Sequence, residues 1–140
     1  MLIDLTDRRF FTPANAEVIE FIRRVNPFAH SDIGTVLFDC AREIPGAQAY
    51  CPSVASYAYV VVHTPVSGIV AIAYDRRRLA IRLSAASHAD AIAAGNVETS
   101  AIGPEWIEIN PWTLPRGSGQ RSASDWVRQA YGELSAAECR

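Results

Sequence analysis

The sequence contains no lysine: all 13 of its Lys and Arg positions are arginine. A biased base composition is the simplest source, but the absence has chemical consequences. A Schiff-base lysine, a P-loop lysine and a lysine general base are excluded. Cysteine is scarce and odd in number: Cys40, Cys51 and Cys139 have no paired spacing, so no disulfide framework is expected. His30, His63 and His88 are the only histidines, and none lies three or four residues from another histidine or a cysteine. No HxxxH, CxxC or HxH spacing occurs, so no metal site is expected. GxGxxG, GxSxG and the Walker-type glycine-rich loop are also missing, and no cofactor is expected. Gly117-Ser118-Gly119 is too short a run to signal a phosphate loop.

Long apolar runs are missing too. A stretch such as Ala58 to Val62 is far too short to cross a bilayer, so no membrane partner is expected. The opening MLIDLTDRRFFTP lacks a basic region followed by an apolar one, and so does not read as a signal peptide. A reducing cytoplasm is the expected setting. A net charge of −2 supplies no global field to draw in nucleic acid or an anionic membrane.

What is present is a globular composition. The chain of 140 residues is 49% apolar and 20% charged, enough for one domain with a real core. Its organising stretch is Gly68 to Leu83, GIVAIAYDRRRLAIRL. Ile69 to Tyr74 reads as one strand and Leu79 to Leu83 as the next. Leu79, Ile81 and Leu83 alternate with Ala80 and Arg82, the period of a strand with one buried and one wet face. Asp75, Arg76, Arg77 and Arg78 form the connection. It lacks Asn-Gly or Asp-Gly, so a loop longer than a tight type I′ turn is expected.

Two amphipathic helices precede this hairpin. Thr12-Pro13 starts the first, with a stripe of Val18, Phe21, Ile22 and Val25. Ser31 or Asp32 starts the second, whose apolar face is Ile33, Val36, Leu37, Cys40 and Ile44, and Pro45-Gly46 stops it. Residues 47–56 are ambiguous between loop and edge strand because of Pro52. Tyr57 to His63 reads as a central strand. After the hairpin, Ser84 caps an alanine-rich helix that ends at Gly95. Residues 96–105 read as a polar connection, and Trp106 to Asn110 as a strand with Trp106, Glu108 and Asn110 on one face. Residues 112–121 read as a flexible loop. A last helix runs from Asp125 to Leu134, and 135–140 should fray.

The order is α-α-β-β-β-α-β-α in one domain, 1–140. Strands in a run beside helices point to the α+β class: an antiparallel sheet of four to five strands with helices packed mainly on one face. The other face is then open, with Tyr57 and Tyr59 on it, and suits a homodimer contact.

Several of these pieces resemble a known family. Arg42-Glu43-Ile44-Pro45-Gly46, the hairpin GIVAIAYDRRRLAIRL, Trp106-Ile107-Glu108-Ile109 and Trp126 to Tyr131 are similar in order and spacing to MmcQ/YjbR-like domains. The resemblance spans roughly residues 31–134. It departs at Arg82, where a lysine is expected, and at Cys51-Pro52. It implies a compact α+β fold and no established catalytic activity.

Few residues suggest chemistry. Cys51, in a loop, has His63 as its one candidate partner for a thiolate pair. Cys40 reads as core. Glu105 and Glu108 lie three apart on a strand and face opposite ways. Arg76, Arg77 and Arg78 can grip phosphates or carboxylates from a hairpin tip. Trp112, at the mouth of the 112–121 loop, can line a pocket. The leading expectation is a non-catalytic binding or self-associating module, taking a protein partner or a small ligand beside Trp112. Nucleic-acid binding through the Arg76 to Arg78 hairpin, and a small Cys- or His-dependent enzyme, are the alternatives.

Overall fold

A computed structural model of the chain describes residues 8–25, 27–29, 31–52, 58–95, 97–114 and 121–139. Four α-helices, α1 (Ala16–Val25), α2 (Ser31–Glu43), α3 (Ala85–Ala94) and α4 (Ala123–Glu138), pack around one antiparallel sheet. Its six strands are β1 (Gln48–Tyr50), β2 (Val60–His63), β3 (Ile69–Ala73), β4 (Leu79–Arg82), β5 (Glu98–Thr99) and β6 (Trp106–Ile109). They lie in the order β1-β2-β3-β4-β6-β5. The α+β class and the meander β2-β3-β4 are as the sequence predicts.

The two extra strands are both short edges. The ambiguous segment after Pro45-Gly46 supplies β1, which pairs Gln48 with His63. The segment expected to be a polar connection supplies β5, whose Glu98 and Thr99 pair with Glu108 and Ile107. Neither edge carries a β-branched apolar run, so periodicity does not reveal them.

The central strands are buried throughout: every residue of β2 and β3 is interior, and all but His63 are apolar. A strand buried on both faces needs two covering layers. On the first face, α2 and α4 close a core with Ile33, Leu37, Val60, Leu79, Ile107 and Val127. The second face, expected to be open, is covered by α1 and a turn at Arg8–Phe10. Phe10, Phe21, Ile22, Tyr59, Ile72 and Trp106 fill this second core. Phe21 meets Tyr74 edge-on at 5.0 Å. Tyr59 is fully buried, so it offers no surface for a dimer, and Tyr57 lies outside the described residues. Ala80 is buried as well, contrary to the one-wet-face reading of β4. On α1, Ile19 is buried in place of Val25, which is exposed.

The alternation in β3 is broken by a bulge. Val62 pairs with Ala71 but His63 pairs with Ile69, which leaves Val70 as the extra residue. Val70 and Ala71 therefore both enter the first core while Ile69 and Ile72 enter the second. Buried Asn15 secures this place. Its Nδ2 donates to Phe10 O at 2.9 Å and Ser67 O at 2.8 Å, and its Oδ1 accepts from Ile69 N at 2.9 Å. One side chain thus satisfies three buried backbone groups and joins the N-terminal turn to the sheet.

α4 is longer than expected: it continues to Glu138 instead of fraying from 135. Glu138 accepts a hydrogen bond from Thr64 Oγ1 at 2.9 Å, which ties its last turn to the β2–β3 connection. A side chain at Gly68 would meet Leu134 at 2.8 Å, so glycine lets the helix lie against the sheet. Ser122 and Asp125 form a capping box at the other end. α3 is capped by Ser84 and stopped by Gly95 at φ +83° as predicted, but it buries Ala91 and leaves Ile92 exposed. Of the predicted loop, 111–114 form a turn and 115–120 lie outside the described residues. Among the described residues, no helix is long and apolar enough to cross a membrane.

Candidate functional site

Polar chemistry gathers at the end of the sheet where β3 turns into β4. Asp75 shapes this turn. Its Oδ1 accepts from the backbone N–H of Arg77 at 2.8 Å and of Arg78 at 2.7 Å. Its Oδ2 accepts from Arg78 Nε at 3.1 Å. This is the local self-capping that aspartate offers a turn, and it replaces the missing Asp-Gly signal.

Register then brings a second carboxylate beneath the tip. Ala80 on β4 stands opposite Glu108 on β6, and its small side chain leaves room above Glu108. Tyr74 projects from the same face, one residue beyond β3. Glu108 is buried and accepts three hydrogen bonds: from the Tyr74 hydroxyl, from Ser100 Oγ at 3.2 Å and from Arg78 Nη1 at 3.2 Å. Burial, and then the neighbouring Glu108, push the Tyr74 hydroxyl far above its ordinary pKa. Glu108, and then Asp75, raise the pKa of Arg78 further. Arg78 is therefore held between two carboxylates. Two of its five N–H groups are spoken for by these bonds, and its side chain stays half exposed.

A cleft of about 600 Å³ opens beside this network. Arg77 and Arg78 bound it on the hairpin side, and Glu108 and Ile109 on β6 with Asn110 just beyond that strand. Val97 and Glu98 close it from β5, and Thr113 from the turn beyond β6. That turn is organised by Asn110, whose Oδ1 accepts from Trp112 N at 2.9 Å and whose carbonyl accepts from Thr113 N at 3.1 Å. Trp112 sits on the same turn with its ring 51% exposed.

Of the residues singled out in the sequence, Arg77 and Arg78 line the cleft. Arg76 is exposed at the tip and does not line it. Trp112 is adjacent, between two lining residues. Glu98, Glu108, Asn110 and Thr113 were not legible as site residues. The one available signal was a glutamate inside the apolar strand Trp106-Ile107-Glu108-Ile109, an ionisable group where burial demands a partner.

The other candidates lie apart. Cys51 packs against the first core, while His63 meets the Phe10 ring at 5.0 Å in the second. They face opposite sides of the sheet and cannot form a nucleophile pair. His63 is buried, and its Nδ1 donates to Thr64 O at 2.8 Å. Burial raises the Cys40 thiol's pKa, which outweighs the contact with Ser124 Oγ at 3.4 Å and keeps the sulfur protonated. His88 Nε2 lies 3.2 Å from Thr99 Oγ1. A smaller cleft of about 200 Å³ lies at the far end of β4, between Arg82, Glu105 and Glu133. Glu133 is engaged there in holding the start of α3, through Ser84 N at 2.8 Å and Ser87 Oγ. Among the described residues, no group of three or more His, Cys, Asp or Glu side chains is placed to hold a metal ion.

Compared with known proteins, the chain matches no family model, no curated protein and no solved structure. The MmcQ/YjbR resemblance thus rests on the short motifs quoted above.

Proposed function

We propose that the protein is a non-catalytic binding domain for a small polar molecule, held in the cleft at the hairpin end of the sheet. The observation that carries this reading is the fixed guanidinium of Arg78. Its position is set by Asp75 at 3.1 Å and Glu108 at 3.2 Å before any ligand arrives. A preorganised donor loses little freedom on binding, which is what a recognition site requires. The same bonds argue against catalysis at this point: Glu108 is buried and already accepts three hydrogen bonds, so its oxygens are engaged within the protein and not presented to a substrate. The MmcQ/YjbR resemblance fits a non-catalytic role, and an odd, unpatterned set of three cysteines fits a cytoplasmic setting.

The reading is tested by titrating the intact chain with small carboxylates and amino acids. Calorimetry and Trp112 fluorescence report the binding. A dissociation constant in the micromolar to millimolar range is expected, with a fluorescence change that Trp112→Phe removes. Arg77→Ala should weaken carboxylate binding about two- to fivefold. Binding left intact by Arg77→Ala and by filling the cleft through Thr113→Trp would place the ligand elsewhere.

A further inference from the structure

We infer that the ligand of this cleft is a zwitterion, the chemistry of an α-amino acid; the inference rests on the binding role proposed above. Four charged side chains line the cleft: Arg77, Arg78, Glu98 and Glu108. Arg78 and Glu108 are joined to each other at 3.2 Å. Arg77 and Glu98 remain, one of each sign, both exposed, and neither is ion-paired with another of the described residues. A simple anion would satisfy Arg77 and be repelled by Glu98. A simple cation would face the reverse. A molecule carrying both charges satisfies both.

The sheet register gives a second reason. Glu98 on β5 stands directly opposite Glu108 on β6. Like charges at directly opposed positions of an antiparallel pair are unfavourable, their Cβ atoms being about 5 Å apart. Arg78 and Tyr74 engage Glu108 from the β3–β4 side, which leaves the Glu98 carboxylate facing its neighbour without a cation of its own. A ligand ammonium at Glu98 relieves this repulsion, and the ligand carboxylate then falls to Arg77.

Three probes of matched shape test the assignment on the intact chain: leucine, 4-methylpentanoate, which lacks the ammonium, and 3-methylbutylamine, which lacks the carboxylate. Leucine should bind about two- to fivefold more tightly than either analogue. Glu98→Gln, an exposed change on an edge strand, should remove leucine's advantage over 4-methylpentanoate, weakening leucine and strengthening the analogue that Glu98 repels. Arg77→Ala should weaken leucine and 4-methylpentanoate but not 3-methylbutylamine. Equal binding of leucine and 4-methylpentanoate to the wild type, or a leucine preference that survives Glu98→Gln, overturns the zwitterion assignment while leaving a carboxylate site in place. If none of the three probes binds, the binding role fails and this assignment with it.

Discussion

Glu108 shows how one residue can organise a region that is otherwise read as turn and edge. It is a carboxylate in a sheet, and a buried charge is tolerable only when it is hydrogen-bonded and paired. Tyr74, Ser100 and Arg78 supply those partners from three different parts of the chain. Removing the carboxylate strands a buried hydroxyl and frees the arginine. Glu108→Ala should therefore cost about 2–4 kcal/mol of stability, measured by urea unfolding. Tyr74→Phe, which deletes one donor and leaves Glu108 paired to Arg78, should cost about 1 kcal/mol. Equal costs would mean that the Arg78 bond contributes nothing to the network. The glutamate itself was visible in the sequence as a misfit in an apolar strand. Its partners were not, because each hydrogen bond depends on a register that spans at least eight residues of chain.

Elements differ in how they are held. α1 is the only α-helix lying on the second face of the sheet among the described residues, and its Phe21 packs on Tyr74 beneath the hairpin. Phe21→Ala should cost about 3–5 kcal/mol by denaturant unfolding and expose the second core to a hydrophobic dye. α4 depends instead on carboxylates. The backbone N–H of Ser122, the first of several causes, lowers the pKa of Asp125 in the capping box. At Glu133 burial works to raise the pKa, but bonds from Ser87, Ser84 and Gln129 prevail and lower it. A depressed folded-state pKa contributes stability above the unfolded value, and that contribution fades as pH falls through the folded one. Unfolding midpoints should thus drop on acidification below the ordinary carboxylate values of 3.8 and 4.5. The double variant Asp125→Asn, Glu133→Gln should start less stable at about pH 6 and lose less between there and about pH 3. A parallel decline of the two proteins would assign the acid sensitivity to other groups.

At the scale of the whole molecule, charge decides between partners. The hairpin carries three arginines in a row, the feature that suggested nucleic acid. In the fold, Arg78 is committed to Asp75 and Glu108, and Glu98 stands across the cleft. Of the run, Arg78 is matched by carboxylates while Arg76 and Arg77 have no ion pair among the described residues, and the chain as a whole carries −2. Basic side chains that neutralise backbone phosphates release the nucleic acid's counterions, and the two unpaired arginines of the hairpin tip are a short footprint on a chain of net negative charge. The intact protein should pass through heparin unretained at about 0.15 M salt and leave a DNA duplex unshifted. Retention lost in an Arg76→Ala, Arg77→Ala, Arg78→Ala triple variant would restore the nucleic-acid reading. The two-sided burial of the sheet matters at this scale too, since Tyr59, once a candidate for a dimer surface, is interior.

Local chemistry was enough for the helices, for strands β2, β3, β4 and β6, and for the α+β class. Apolar periodicity, the caps at Ser84 and the stops at Pro45-Gly46 and Gly95 act over a few residues, so they are written in the chain itself. The arginine tip and Trp112 were legible for the same reason. The edge strands β1 and β5, the covering of the second face by α1, and the joining of Arg78 to Glu108 were decided only on folding. Each joins groups far apart along the chain, or depends on which face a neighbour leaves free, and no short-range pattern encodes that choice. The cleft belongs to this second kind: Val97, Glu98, Asn110 and Thr113 meet Arg77 because β4, β6 and β5 pair in that order.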